Sequence, residues 1–595
     1  MSATTTTPAA KLAVPFTPLW PFLLLLGIGL AMPLSGNDYW GLIATRMAIY
    51  WVLVAGLNLI VGYAGQLAIG YVALLTIGAY TTSVLAAGNV LPPVPAFVAL
   101  GVAGVAGAVF GVVVGLPALR LRTFYFAMAT LGFATIVTQI ALAWQEVTGG
   151  GIGIAGPEMP APFNTTWGFL YLCLGIAVFA TWMSANIARS RFGRALVTVR
   201  DAEVAAEACG IRKPRLLVLV FILAGALAAI AGGLFATLQT YITPDAFTFD
   251  LSLLFFISIL IGGRGSILGP LLGMVALTLL PELVARFAAY STFFYAALLL
   301  VIVLAMPGGI AALIDPRNRR KLPENRTVLP RPEALAALLG RRAEPAGMAL
   351  RGIVLAFGGV RAIDGLDLDV VPGQVHGLIG PNGSGKTTTL NVISGYYKPE
   401  AGSMTTRGNP LPFGDPEGRA GLGIARTFQT PRLVGEASVI ENVMIGATIE
   451  GTATFAEALL SLPRQRREES VLEERARLAL DAVGLAGLAD IRADRLQHSE
   501  LRFMEIARAL MLRPAFLMLD EPAAGLSTDE IRRLGDLIRA ISRHGTAVLL
   551  VEHHADLIFD ICDQVTVLNL GKILAAGTPA EIRVHKEVVS AYLGV

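Results

Sequence analysis

The chain has 595 residues, 54% of them hydrophobic and only 15% charged, with a formal net charge of +3. Soluble domains carry about 25% charged residues, so this composition excludes an ordinary soluble protein and is that of a membrane protein. The net charge is too small to argue for a nucleic-acid partner. Cys173, Cys209 and Cys562 fit neither a disulfide framework nor a metal cluster.

Residues 1–14 are rich in Thr, Ala and Pro and lack the basic start of a secretory signal, so the first apolar run reads as a retained anchor. Through residue 118 the only charged residues are Lys11, Asp38 and Arg46, whereas charges are dense from about residue 315 onward. An apolar half thus precedes a soluble half. A membrane-spanning helix needs about 20 mostly apolar residues. That length predicts ten spans, near 18–34, 40–62, 69–88, 95–117, 124–143, 167–187, 215–238, 248–263, 266–285 and 293–313. Lys and Arg accumulate on the cytoplasmic side of a membrane. They do so here at Arg120 and Arg122, between Arg189 and Arg215, at Arg264, and at Arg317, Arg319, Arg320 and Lys321. With ten spans all four clusters fall on the side of the soluble half.

Two Gly-interrupted segments, Gly62–Gly70 and Gly262–Pro270, stand at corresponding places and suggest an internal repeat and a path through the membrane. Asn58, Gln66 and Gln139 either line that path or bond one helix to another. Gly193–Gly210 has helical spacing and a Gly stop, which predicts a short amphipathic helix docking into a groove of the soluble half. Residues 315–347, rich in Pro, Arg and Glu without a sustained period, read as a tether.

In the soluble half Val375–Ile379 is a strand that runs into Gly380, Pro381, Asn382, Gly383, Ser384, Gly385, Lys386, Thr387 and Thr388. This is GxxxxGK[ST] between a strand and a helix, a P-loop. Its backbone N–H groups wrap phosphates, Lys386 reaches the β- and γ-phosphates and Thr387 ligates Mg²⁺. Phe516–Asp520 is a buried strand ending in Asp520 and Glu521. The acids are placed to hold Mg²⁺ and to polarise the attacking water, respectively. Thr546–Val551 is another buried strand, followed by Glu552 and His553, and His553 is a candidate γ-phosphate contact.

The order of these elements resembles the ATP-binding cassette (ABC) family over roughly 349–595. The resemblance implies an α/β core with a helical subdomain, acting as a dimer. Each ATP is sandwiched between one subunit's P-loop and the other's signature motif. It implies that Phe357 stacks on adenine, that Gln429 in Arg426–Gln429 couples Mg²⁺ and water to the membrane half, and that Ala524–Ser527 is the D-loop. Gly423–Gln429, Glu521–Leu526 and Ala591–Gly594 are similar to ATPase subunits of branched-chain amino acid importers. Gly62–Leu67, Phe124–Gly132, Ser190–Arg194 and Gly262–Pro270 resemble a permease subunit of the same systems.

The implied architecture is an all-α polytopic membrane domain at 1–314, a linker at 315–347 and an α/β P-loop ATPase at 348–595. The implied cofactors are ATP and Mg²⁺. The implied setting is the bacterial inner membrane with the ATPase cytoplasmic. Implied partners are a second permease, a second ATPase with an intact signature, a periplasmic substrate-binding protein and membrane lipid. Urea and short amides are substrates of close relatives. An exporter built from the same parts and a non-hydrolysing scaffold subunit are the competing readings. Intact Asp520, Glu521 and His553 argue against the scaffold. The family's LSGGQ signature is replaced here by Leu496-Gln497-His498-Ser499-Glu500, losing both glycines. The His and Ser side chains crowd the approach to the partner's γ-phosphate, and Glu500 is expected to add negative charge beside it. The ATP site completed by this segment is therefore expected to hydrolyse poorly.

Overall fold

The computed structural model describes residues 20–90, 92–121, 123–283, 290, 293, 297, 300–301, 304–305, 308–315, 320–323, 326–340 and 347–593. The readings made above for residues 1–14, Arg122, Arg317, Arg319, part of 293–313 and Gly594 lie outside them.

Among the described residues seven helices, rather than the ten expected, are long and apolar enough to cross a membrane. They are Asp38–Tyr63, Ile69–Ala87, Ala96–Ala118, Thr123–Ala143, Thr166–Ala188, Lys213–Gln239 and Pro244–Gly262. The run expected at 18–34 forms a 12-residue α-helix, Trp20–Ala31, continued by a 3₁₀ turn. The run at 266–285 forms the 15-residue helix Gly269–Leu283. At 1.5 Å per residue this described stretch is about 22 Å, against a hydrocarbon core of about 30 Å. Composition alone did not separate a full crossing from a shorter apolar helix.

Lys213–Gln239 is the central helix, packed on Ala96–Ala118, Val72–Ala87 and Asp38–Asn58. The close approach needs small residues. A Cβ at Gly78 would fall on the backbone of Ala229, and one at Gly225 on the carbonyl of Gly107. Thr123–Ala143 is the outermost spanning helix, with 22% of its apolar window buried. The two Gly-interrupted segments meet, and a Cβ on Gly62 would fall 2.6 Å from the backbone nitrogen of Gly265. The side-chain amide of Asn58 donates to Ser266 O at 2.8 Å and its carbonyl accepts from the N–H of Gly265 at 3.4 Å. Asn58 thus bonds the end of the helix Asp38–Asn58 to the second segment, while Gln66 is buried and Gln139 exposed.

The C-terminal half holds two sheets. Met348–Phe357 (β1), Val360–Val370 (β2) and Ala401–Thr406 (β4) form an antiparallel sheet in the order β2-β1-β4, extended by Asn409–Pro410. Val375–Ile379 (β3), Ile424–Arg426 (β5), Phe516–Asp520 (β6), Ala547–Val551 (β7), Gln564–Asn569 (β8) and Lys572–Gly577 (β9) form the second, ordered β9-β8-β3-β7-β6-β5. All its pairs are parallel except β8 with β9. Strands β3, β6 and β7 are buried throughout. That is why they read as continuous apolar runs, and why their C-terminal ends are the places for polar chemistry. The helices Pro463–Ala482 and His498–Leu510 form the helical subdomain beside this sheet.

The connecting segment is not a free tether. Pro332–Leu339 is a helix that packs on Pro463–Ala482, with Leu335, Leu338 and Leu339 buried in the core of the α/β half.

Candidate active site

Strand β3 delivers the chain to Gly380, and the helix Lys386–Ile393 departs from Gly385. Gly385 has φ +104°, and a Cβ there would meet the carbonyl of Ala362. A Cβ on Gly380 would meet that of Leu568. The turn therefore requires glycine at both places. The helix start carries no side-chain cap, which leaves its first N–H groups facing the loop. Ser384 Oγ is buried and makes no hydrogen bond among the described residues. Lys386 Nζ donates to Gly380 O at 2.7 Å and Pro381 O at 2.9 Å, so the ammonium sits over the loop. Burial lowers its pKa, and the nearby Glu521 and Asp520 carboxylates oppose that shift. Asn382, Gly383 and Thr387 are exposed and Thr388 half-buried.

Across the loop, Asp520 ends β6. Its Oδ2 pairs with Arg426 at 3.0 Å, with both side chains at most 5% exposed, while Oδ1 is buried and has no hydrogen-bond partner among the described residues. Burial raises the Asp520 pKa and Arg426 pulls it back. Arg426 is itself held by Asn391 Oδ1 at 2.7 Å and Ser394 Oγ at 3.1 Å. This counter-ion was missed in the sequence. The signal was an arginine in the three-residue buried strand β5, a position that demands a partner.

Glu521 has φ +47°, a region that a non-glycine residue rarely occupies. Its N–H is fastened to Val551 O at 2.9 Å. This turns the carboxylate between two partners. Gln429 Nε2 donates to Oε2 at 2.8 Å, and His553 Nε2 lies 3.0 Å from Oε1. Gln429, Glu521 and His553 come from three separate stretches and meet as one cluster. Glu552, also missed, is 1% exposed and accepts the N–H of Ala523 at 2.6 Å and of His553 at 2.9 Å, which orders the turns after β6 and β7. Phe357 is 47% exposed at the tip of the β1–β2 hairpin, its ring edge-on to Tyr397 at 5.2 Å.

Residues 40–305 match the family described as the branched-chain amino acid transport system permease component. Residues 363–524 match the ABC transporter family, and 572–595 the branched-chain amino acid ATP-binding cassette transporter family. The chain is 40% identical over 248 residues to LivG of Salmonella typhimurium, a high-affinity branched-chain amino acid transport ATP-binding protein. The match covers 42% of this chain and 97% of LivG. The chain belongs to the branched-chain amino acid ABC transporter family. BraF of Pseudomonas aeruginosa is 39% identical over 248 residues, with 42% of this chain and 97% of BraF covered. A crystal structure of a nucleotide-free ATP-binding cassette aligns with a TM-score of 0.38 at 31% identity, covering 42% of this chain and all of that one. This transporter is a transport-coupled ATPase that carries its permease and its cassette in one polypeptide.

Its two halves meet where the amphipathic helix was expected. The stretch forms two helices, Arg191–Asp201 and Glu203–Ala208, broken at Ala202. They lie in a cleft of the ATPase. Glu469 accepts the N–H of Arg191 and pairs with Arg194, each at 2.7 Å, and the Arg194 and Glu469 side chains are 9% and 5% exposed. Ala202 and Ala205 pack on Phe428, the residue before Gln429. Tyr396 Oη donates to Val204 O at 2.9 Å. Arg200 donates to Gly62 O and pairs with Glu436 of the ATPase at 3.2 Å. A continuous path of packed groups thus joins the Gln429 loop to the Gly-interrupted segments.

The altered signature has a different geometry from the expected one. Glu500 does not face outward toward a phosphate. It is wholly buried and paired with Arg326. His498 remains at the surface, with Nε2 3.0 Å from Ala524 O in the D-loop.

Proposed function

We propose that this transporter imports branched-chain and other hydrophobic amino acids across the bacterial inner membrane, with its ATPase in the cytoplasm. The observation that carries the reading is that both halves match parts of one branched-chain amino acid system. Its units are a permease at 1–314, a connector at 315–347 and an ATPase at 348–595. It works with a second permease, a second ATPase and a periplasmic binding protein. Arg191, Arg194, Arg200 and Arg320 support the orientation, since each makes a contact with the ATPase.

ATP fits the P-loop, whose glycine backbone leaves room where side chains would collide. Mg²⁺ fits the Oδ1 of Asp520, which has no hydrogen-bond partner among the described residues, together with the exposed Thr387. Thr387, Asp520 and Gln429 would hold it, and it would supply charge neutralisation at the β- and γ-phosphates. Phe357 stacks on adenine, Gly380–Thr388 hold the phosphates, and Lys386 leaves its two carbonyls for the phosphate oxygens. Glu521 orients the water and takes its proton. The new oxygen–phosphorus bond forms as the bond to ADP breaks. Gln429 reports the event to Phe428 and the docked helices, and His553 contacts the γ-phosphate while holding Glu521.

In vesicles containing the complex and its binding protein, labelled leucine is expected to accumulate when ATP is supplied on the ATPase side. Outward movement of leucine overturns the direction. Binding-protein-stimulated hydrolysis without leucine accumulation moves the substrate to urea, amides or other amino acids.

The signature carries a second expectation. His498 and Ser499 still occupy positions where the family has glycine. Restoring Gln497–Glu500 to Ser-Gly-Gly-Gln should raise turnover of the complex severalfold, read as phosphate release at saturating ATP. Unchanged turnover sinks the idea of one strong and one weak ATP site.

A further inference from the structure

The connecting segment makes contacts that a tether has no use for. Arg326 donates through Nε to Glu500 Oε1 at 2.8 Å and through a terminal nitrogen to Oε2, and that same nitrogen reaches Arg495 O at 3.1 Å. The side chains are 17% and 0% exposed, respectively. The backbone around Arg326 is fastened on both sides. Arg495 donates to Arg320 O at 2.8 Å, Arg533 to Val328 O at 3.3 Å, and the N–H of Arg331 to Ala482 O at 3.0 Å. Val328 is 3% exposed and lies in the same core as the helix His498–Leu510.

Glu500 has a second duty. It accepts the N–H of Gln497 at 2.7 Å and closes a capping box at the start of His498–Leu510. The group that shapes the signature turn is therefore an acid in a place where an unpaired charge is not tolerated. The signature sequence resembled above has a neutral Gln at this position, which needs no counter-charge. This chain has Glu and brings an arginine from 174 residues away, out of the segment that joins its two halves. The altered signature and the connector form one unit.

We propose that Arg326 is a positioning residue for the ATP site that this chain's signature segment completes. It neutralises Glu500 and so sets where the signature turn lies. The inference rests on the two-ATPase reading above. Two ATPases that sandwich two ATPs close as a pair only when both signature turns are in place, so a misplaced turn lowers kcat of the whole complex. ATP binding to this chain's own P-loop, on the other side of the domain's chemistry, stays as it was.

The test is a cycle in the full complex of Arg326→Gln, Glu500→Gln and the double variant. It reads kcat and KM for ATP, with ATP-analogue affinity measured on the full chain alone. Removing one partner of a buried pair is strongly disruptive, so Arg326→Gln should lower kcat about tenfold or more and leave the analogue affinity unchanged. Adding Arg326→Gln to Glu500→Gln should change kcat by no more than about twofold, since coupled sites are not additive, and a further loss of about tenfold in the double variant overturns the proposal. Should Arg326→Gln fail to assemble, assembly and turnover of the double variant and of Arg326→Lys support the proposal, and failure of the double variant overturns it. An assembled Arg326→Gln complex with unchanged kcat also overturns it. A complex that responds to signature restoration but not to Arg326→Gln refutes this inference alone. One indifferent to both refutes the two-ATPase reading beneath it.

Discussion

Glu521→Gln is expected to reduce ATP turnover at this chain's catalytic site by about two to four orders of magnitude, the range of general acid–base effects. ATP binding and assembly should be retained. The argument is in the geometry. Glu521 offers one oxygen to Gln429 at 2.8 Å and the other to the His553 ring at 3.0 Å. A glutamine keeps the shape of that arrangement. It cannot take a proton from water, and its amide nitrogen cannot accept one of the two bonds. Phosphate release and retention of labelled ATP by the complex measure the two expectations together. Leucine uptake should disappear with hydrolysis. Turnover within tenfold of wild type would remove Glu521 from the role of base and return weight to the scaffold reading.

Glu469→Ala is expected to separate hydrolysis from transport. Glu469 is the single carboxylate that both receives the first N–H of the docked helix and pairs with Arg194. Both side chains are buried, and breaking such a pair from one side costs about 3–5 kcal/mol because the other charge is stranded. The helix Arg191–Asp201 should then leave its cleft. Ala202 and Ala205 leave with it, and their contact with Phe428 is lost. Uptake should fall below about a tenth of wild type. Hydrolysis should continue but lose its response to the binding protein. Arg194→Ala should give the same phenotype, and the double variant should be no worse than either alone. Stimulation by the binding protein that survives in Glu469→Ala would mean that the signal passes elsewhere, with Arg200 and Glu436 the next pair to examine.

Most of the residues proposed here for the nucleotide site were legible before any fold was known. The P-loop is a run of consecutive residues whose glycines are dictated by the turn itself, so spacing suffices to find it. Asp520, Glu521 and His553 were legible for a related reason. A strand buried on both faces must be apolar, and the first polar residues after it mark the sheet's functional edge. Span counting was less secure. The described stretches at 20–35 and 269–283 are as apolar as the longer helices, and only the length described sets them apart.

What the sequence determined by itself is therefore local. It set the chemistry of the phosphate loop, the division into an apolar and a charged half, and the family. The tertiary structure alone decided which distant charges meet: Arg426 with Asp520, Arg194 with Glu469, Arg326 with Glu500. Such pairs carry no fixed spacing. A buried charge announces only that it needs a partner, and which one it receives depends on how whole elements pack.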